Sequence, residues 1–142
     1  MEQSFKKKSV VLMVILSIVT YGIYIPIWFL KGMAALNNLK SKLKVKKAYF
    51  IVVLVLAIIS LLLLVPPLMF GVSSSIGQMV DKIDSAVNLM FGIAILAVSF
   101  DIKRILEDHF GIKLSGIATF FFTIFYLQYK INELIDSGKT SI

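Results

Sequence analysis

The sequence predicts an all-α integral membrane domain spanning residues 1–142, and three observations lead there. Of the 142 residues, 58 % are hydrophobic and only 16 % charged, with a mean hydropathy of +0.92, which is far too apolar for a soluble domain of this length. The apolar residues gather in four hydrophobic segments, at about 10–30, 48–70, 86–100 and 114–129, none of which contains a charged residue or histidine. The fifteen Lys and Arg residues cluster beside those segments. The expected architecture has the middle two segments spanning the bilayer. The first and fourth are re-entrant helical hairpins, and short amphipathic helices lie at the interface.

The first segment follows MEQSFKKK, which resembles the charged start of a secretory signal. The apolar run continues to Leu30 without an A-x-A cleavage site, so it is expected to be retained as the first membrane segment. Gly22 and Pro26 interrupt it. Pro26 cannot donate a backbone bond to residue 22 and crowds that turn. Two arms, roughly Val10 to Tyr21 and Ile23 to Ala34, would each be about 17 Å long, near half the hydrocarbon thickness. The expected turn set is Thr20, Gly22, Tyr24, Pro26 and Trp28, with hydroxyls of Thr20, Tyr21 and Tyr24 available to the exposed backbone. A kinked single span is the alternative, because membrane helices tolerate Pro and Gly.

In KGMAALNNLKSKLKVKK, Met33, Leu36, Leu39 and Leu43 recur at helical spacing while Lys40, Lys44 and Lys47 share another face, predicting an interfacial helix. Lys40, Lys42, Lys44, Lys46 and Lys47 are the candidate contacts to anionic headgroups, each worth about 1 kcal/mol near the surface. The second segment is the clearest span, with Ser60 its only polar residue before Pro66 and Pro67. GVSSSIGQMVDKID, residues 71–84, is rich enough in Gly and Ser to predict a flexible connection. The third segment is short and holds Asn88, the candidate helix–helix contact. DIKRILEDHFG repeats the amphipathic spacing, with Gly111 as a stop. The fourth segment is also short but has no proline and only Gly116 as an internal glycine, a weaker case for a hairpin. YKINELIDSGK closes the chain with Gly138 as a stop.

Charge counting favours two hairpins. A plain four-span chain leaves at best nine Lys and Arg on one side against six on the other. With the first and fourth segments returning to their own side, fourteen share the cytoplasmic face and Lys82 stands alone outside. That places both termini and residues 31–47 in the cytoplasm of a multi-pass protein of the cell membrane. The two outer segments also echo each other, each running from Thr and aromatics to a lysine and then Asn37 or Asn132, followed two residues later by a leucine.

Little points to catalysis. With no ionisable group inside any segment, a proton-coupled carrier is disfavoured. There is no cysteine, which removes disulfides and thiolate chemistry. His109, the single histidine, has Asp101, Glu107 and Asp108 nearby, but without a second histidine it is a poor metal clamp and a poor basis for a hydrolase triad. Neither G-x-x-x-x-G-K-[ST] nor G-x-G-x-x-G occurs. No catalytic residue, metal or cofactor is expected, and the chain is not expected to be an enzyme. The net charge of +7 is explained by membrane flanks, not nucleic acid. The expected partners are anionic membrane lipids and a second copy or another membrane protein.

Thr20, Gly22, Ile23, Tyr24, Trp28 and Asn37, within residues 8–40, resemble the opening of a family of small prokaryotic integral membrane domains of unknown function, with a T-x-G-I-Y...W first segment. A fainter likeness covers about residues 95–135. Ile25, Pro26 and Ile27 depart from that pattern, which usually has a small residue and a further aromatic there. The resemblance implies several hydrophobic segments and no activity. The expected role is a structural or interaction protein: an accessory subunit, an oligomeric scaffold, or a wedge in one leaflet. The competing class is an oligomeric channel, lipid-handling protein or small-solute transporter.

Overall fold

The structure, a computed structural model, describes residues 5–71 and 75–139, and every regular element in them is a helix. Helix α1, Val10–Val19, starts at Ser9, whose hydroxyl accepts the Leu12 amide. It stops within the first apolar segment, where Tyr21 (φ 50) and Gly22 (φ 86) both take left-handed conformations. Thr20 serves both sides of the break: its hydroxyl donates to Leu16 O at 2.7 Å and accepts the Tyr24 amide at 2.9 Å. Helix α2, Tyr24–Asn38, then folds back, bringing the Trp28 ring to 5.8 Å from Lys8 Nζ. Pro26 is not the breaker that the sequence suggests. It is the third residue of α2, in the first turn, where its missing N–H costs no helical bond.

The interfacial helix expected over residues 31–47 ends early. Leu39 is extended (ψ 150) and residues 39–46 form no helix. Side chains outcompete the helix here: the Asn37 amide pairs with the Val45 backbone in both directions, at 3.2 and 3.0 Å, and Lys44 Nζ caps the carbonyls of Asn37 and Leu39 at 2.6 and 2.7 Å.

Helix α3, Lys47–Leu63, continues through the helical Leu64 into α4, Val65–Phe70, so that Pro66 and Pro67 fall in the first turn of α4. Helix α5, Ser75–Phe110, is a single rod of 36 residues, about 54 Å long. It corrects two expectations. The Gly/Ser-rich stretch is helical from Ser75 onward, residues 72–74 lying outside the described part, and the third segment is the centre of a long helix. Packing overrides propensity here, because α3 and α4 lie along α5 and bury Gly77 in its first turn. The Lys47–Met69 and Ser75–Phe110 stretches are long and apolar enough to cross a membrane.

Helix α6, Gly116–Asp136, is bent. Ser115 caps it by accepting the Ala118 amide, and Thr123 (φ 42, ψ −119) breaks its run. Beyond the break Tyr126 reaches back, its hydroxyl accepting the Ser115 amide at 3.0 Å. The amphipathic DIKRILEDHFG and YKINELIDSGK stretches are the ends of α5 and α6, stopped at Gly111 (φ 63) and near Gly138 (φ 70).

The core is lopsided. Phe29 and Phe50 stack at 5.4 Å and join Trp28, Leu36, Val53, Ile102, Leu106, Ile124 and Ile131. All of these come from α2, the first turns of α3, the last turns of α5 and the second arm of α6. Among the described residues, the other end holds only α4, the end of α3 and the start of α5. Along the flanks, Val11, Leu12, Ile18 and Val19 of α1 and Phe120, Phe121 and Phe122 of α6 are each more than half exposed. Water does not favour so large an apolar surface.

Candidate functional site

The broad end of the molecule is held by side-chain amides. The Lys8 amide donates to Asn132 Oδ1 at 3.1 Å, and Asn132 Nδ2 donates to the Lys8 carbonyl at 2.7 Å. Gln128 completes the arrangement: its Nε2 donates to Asn132 Oδ1 and to the Lys6 carbonyl, while its Oε1 accepts the indole N–H of buried Trp28 at 2.8 Å. All the hydrogen-bonding groups of Gln128, only 2 % exposed, are thereby matched. Trp28 thus belongs to a junction between the bent helices, not to the turn itself. Asn37 grips Val45 as Asn132 grips Lys8, so the two asparagines of the sequence echo share one geometry. Each holds the chain two residues before a helix, α3 in one case and α1 in the other.

Lys8 is half-buried beside this junction. Burial, reinforced by the charges of Lys31 and Lys6, pushes its ammonium below the usual lysine range. The Trp28 ring face opposes this by favouring the cation. The exposed Lys7–Asp136 pair, at 2.8 Å, adds little.

The lysine-rich loop is fixed to the end of α5. The Lys40 amide donates to His109 Nδ1 at 3.0 Å, while the Ser41 hydroxyl and the Lys42 amide both donate to Asp108 at 2.7 and 3.1 Å. Lys40, Lys42, Lys46 and Lys47 present exposed side chains, while Lys44 is committed to capping α2. Glu107 turns elsewhere, to Lys103 at 2.8 Å and to the Leu114 amide at 2.8 Å. His109, Asp108 and Glu107 therefore serve separate contacts, and among the described residues no three His, Asp or Glu side chains converge.

The turn between α1 and α2 meets the middle of α5: a Cβ placed on Gly22 would stand 3.2 Å from the Phe91 ring. Phe91 lies ten residues before Asp101, the first charge after the apolar run, or about 15 Å along the helix. Toward the narrow end, Asn88 joins α5 to α3. Ser60 Oγ lies 2.9 Å from Asn88 Oδ1 and 3.0 Å from Asp84 Oδ1, and Asn88 Nδ2 donates to Asp84 Oδ2 at 2.8 Å. Asp84 precedes the third segment in sequence but stands beside Ser60, in the interior of the second.

Sequence reading missed Gln128, Thr123 and Asp84. Gln128 carried a signal, an amide within an apolar segment, whereas Thr123 carried none. The chain matches no family model, no curated protein and no solved structure.

Proposed function

We propose that this is a multi-pass protein of the cell membrane, inserted asymmetrically from the cytoplasmic side. It acts as a structural or interaction protein that loads one leaflet and grips anionic lipid. In this reading α3 with α4, and α5, cross the bilayer. The α1–α2 pair and bent α6 enter and leave on the cytoplasmic side as re-entrant hairpins. The family resemblance at T-x-G-I-Y...W is part of the same reading.

The observation that carries it is that both outer apolar segments break, at residues 20–23 and at Thr123, on the side of the molecule where the core is thick. The tip at Gly22 stands about 15 Å from the level of Asp101, which is half a hydrocarbon thickness of about 30 Å. A turn at that depth needs its backbone satisfied. Gly22 N donates to Ser17 O at 2.8 Å, Ile23 N to Thr20 O at 3.1 Å, and Thr20 Oγ1 accepts from Tyr24, which supplies that need internally. Six helical arms in the cytoplasmic leaflet, four of them re-entrant, against two in the other form a wedge. Around it, exposed Lys40, Lys42, Lys46 and Lys47 face the headgroups.

Single cysteines test the topology on this cysteine-free background. Cysteines at Lys6, Lys42 and Lys139 should label only from the cytoplasmic side, and one at Met79 only from the opposite side. Labelling of positions 6 and 42 from opposite faces would overturn the re-entrant reading.

A further inference from the structure

Where α5 ends and the chain turns toward α6, an open concavity of about 630 Å³ is lined by Lys103, Arg104, Glu107, Asp108, Ile112 and Lys113, with Leu114 at its edge. Glu107 builds it by holding the Leu114 amide at 2.8 Å, which sets residues 112–114 as a wall against the last turns of α5. Ile112 and Leu114 give the lining an apolar patch beside its ionic groups.

The ionic groups are not equally committed. Both oxygens of Glu107 accept from Lys103, at 2.8 and 2.9 Å, and one also accepts from Leu114. Asp108 Oδ2 accepts from Ser41 and Lys42. Arg104, by contrast, is 66 % exposed, and its nearest carboxylate is Asp101 at 3.8 Å, beyond hydrogen-bond length. The Lys113 ammonium has no hydrogen-bond or ion-pair partner among the described residues. The groove therefore has a surplus of donors over acceptors, with a planar guanidinium and an ammonium among its lining groups that make no hydrogen bond among the described residues, the ammonium acting on Glu107 only through its charge. That combination suits a phosphate oxyanion.

Its level selects the source of the phosphate. Arg104 lies four residues past Phe100, the last residue of the charge-free run, about 6 Å along the axis. That distance falls within the headgroup layer. We infer that this groove is a binding site for the phosphate headgroup of an anionic phospholipid, held by Arg104 and Lys113 with its glycerol end over Ile112 and Leu114. The inference deepens the proposed lipid contact and rests on that membrane reading. It differs in naming a defined site beside the lysine loop.

The test is native mass spectrometry of the whole chain, purified in mild detergent and titrated with phosphatidylglycerol or phosphatidylcholine. The wild type should retain one phosphatidylglycerol more strongly than phosphatidylcholine. The Arg104→Gln/Lys113→Gln double variant should retain it about tenfold less or weaker still. Arg104→Lys/Lys113→Arg should recover most of the binding, and Lys82→Gln, exposed near the start of α5, should keep the retained lipid. Equal retention by wild type and the Gln double variant overturns the site, as does equal retention of the two lipids. Displacement by millimolar inorganic phosphate overturns the lipid assignment in favour of a free anion. Cysteine labelling of the double variant separates the two readings: an unchanged labelling pattern with lost lipid supports the site, and labelling of positions 6 and 42 from opposite faces defeats the topology whatever the lipid result.

Discussion

Lys8 shows how one residue can be held for its backbone and tolerated for its side chain. Its amide and carbonyl are gripped by Asn132, which fixes the start of α1, and its ammonium must then lie half-buried near Lys6 and Lys31. Because the folded state holds that proton less tightly than the unfolded chain, the charge penalises folding at neutral pH. The penalty is full below the lowered folded value and fades as pH rises through it toward the unfolded value of about 10.4. Lys8→Gln keeps the backbone contacts and removes the charge, so it should stabilise the protein at pH 7 by less than about 1 kcal/mol, given the exposure and the opposing Trp28 contact. The gain should shrink by pH 10. Thermal unfolding in detergent at both pH values checks this, and a gain that grows with pH would contradict it.

At the scale of the element, the hairpin rests on Gly22 rather than Pro26. Gly22→Ala places a Cβ at φ +86 and 3.2 Å from Phe91, and should cost about 1–2 kcal/mol, since an L-residue pays roughly that in the left-handed region. Phe91→Ala should not rescue it, because the strain is in the backbone. Pro26→Ala lies in the first turn of α2 and should cost under about 1 kcal/mol. Equal losses in chemical unfolding would return the break to the proline. This contrast also marks what was legible in the sequence. The composition made the chain helical, and Gly22 and Pro26 with the flanking lysines pointed to the first break. Thr123 was opaque because its positive φ falls between Phe122 and Ile124, with no glycine or proline beside it to mark it. The lysine loop was misread because helical spacing persists from Met33 to Leu43, whereas the Asn37–Val45 grip that ends α2 is a contact across eight residues. The long start of α5 was hidden for the same reason, since Ser60 and the α3–α4 rod support it from elsewhere in the chain.

For the whole molecule, the decisive contacts are those that join its two ends. Asn132→Leu would leave the Lys8 amide and carbonyl without partners and free a donor of Gln128. Each unsatisfied group costs about 1–3 kcal/mol, so a loss of several kcal/mol in urea unfolding is expected. Asn132→Asp keeps the acceptor but cannot donate to the Lys8 carbonyl, so it should fall between. Asn37→Leu should instead release residues 39–46, seen as faster amide exchange there, while the ends stay joined. The same closure has a consequence for synthesis. Residues 6–28 leave the ribosome well before their amide partners at positions 128 and 132, from which they are separated by 100 to 124 residues of chain. The α1–α2 pair must therefore wait with Trp28 and the Lys8 peptide unmatched until residues 128 and 132 have been made. Any factor that shelters it would act in that interval.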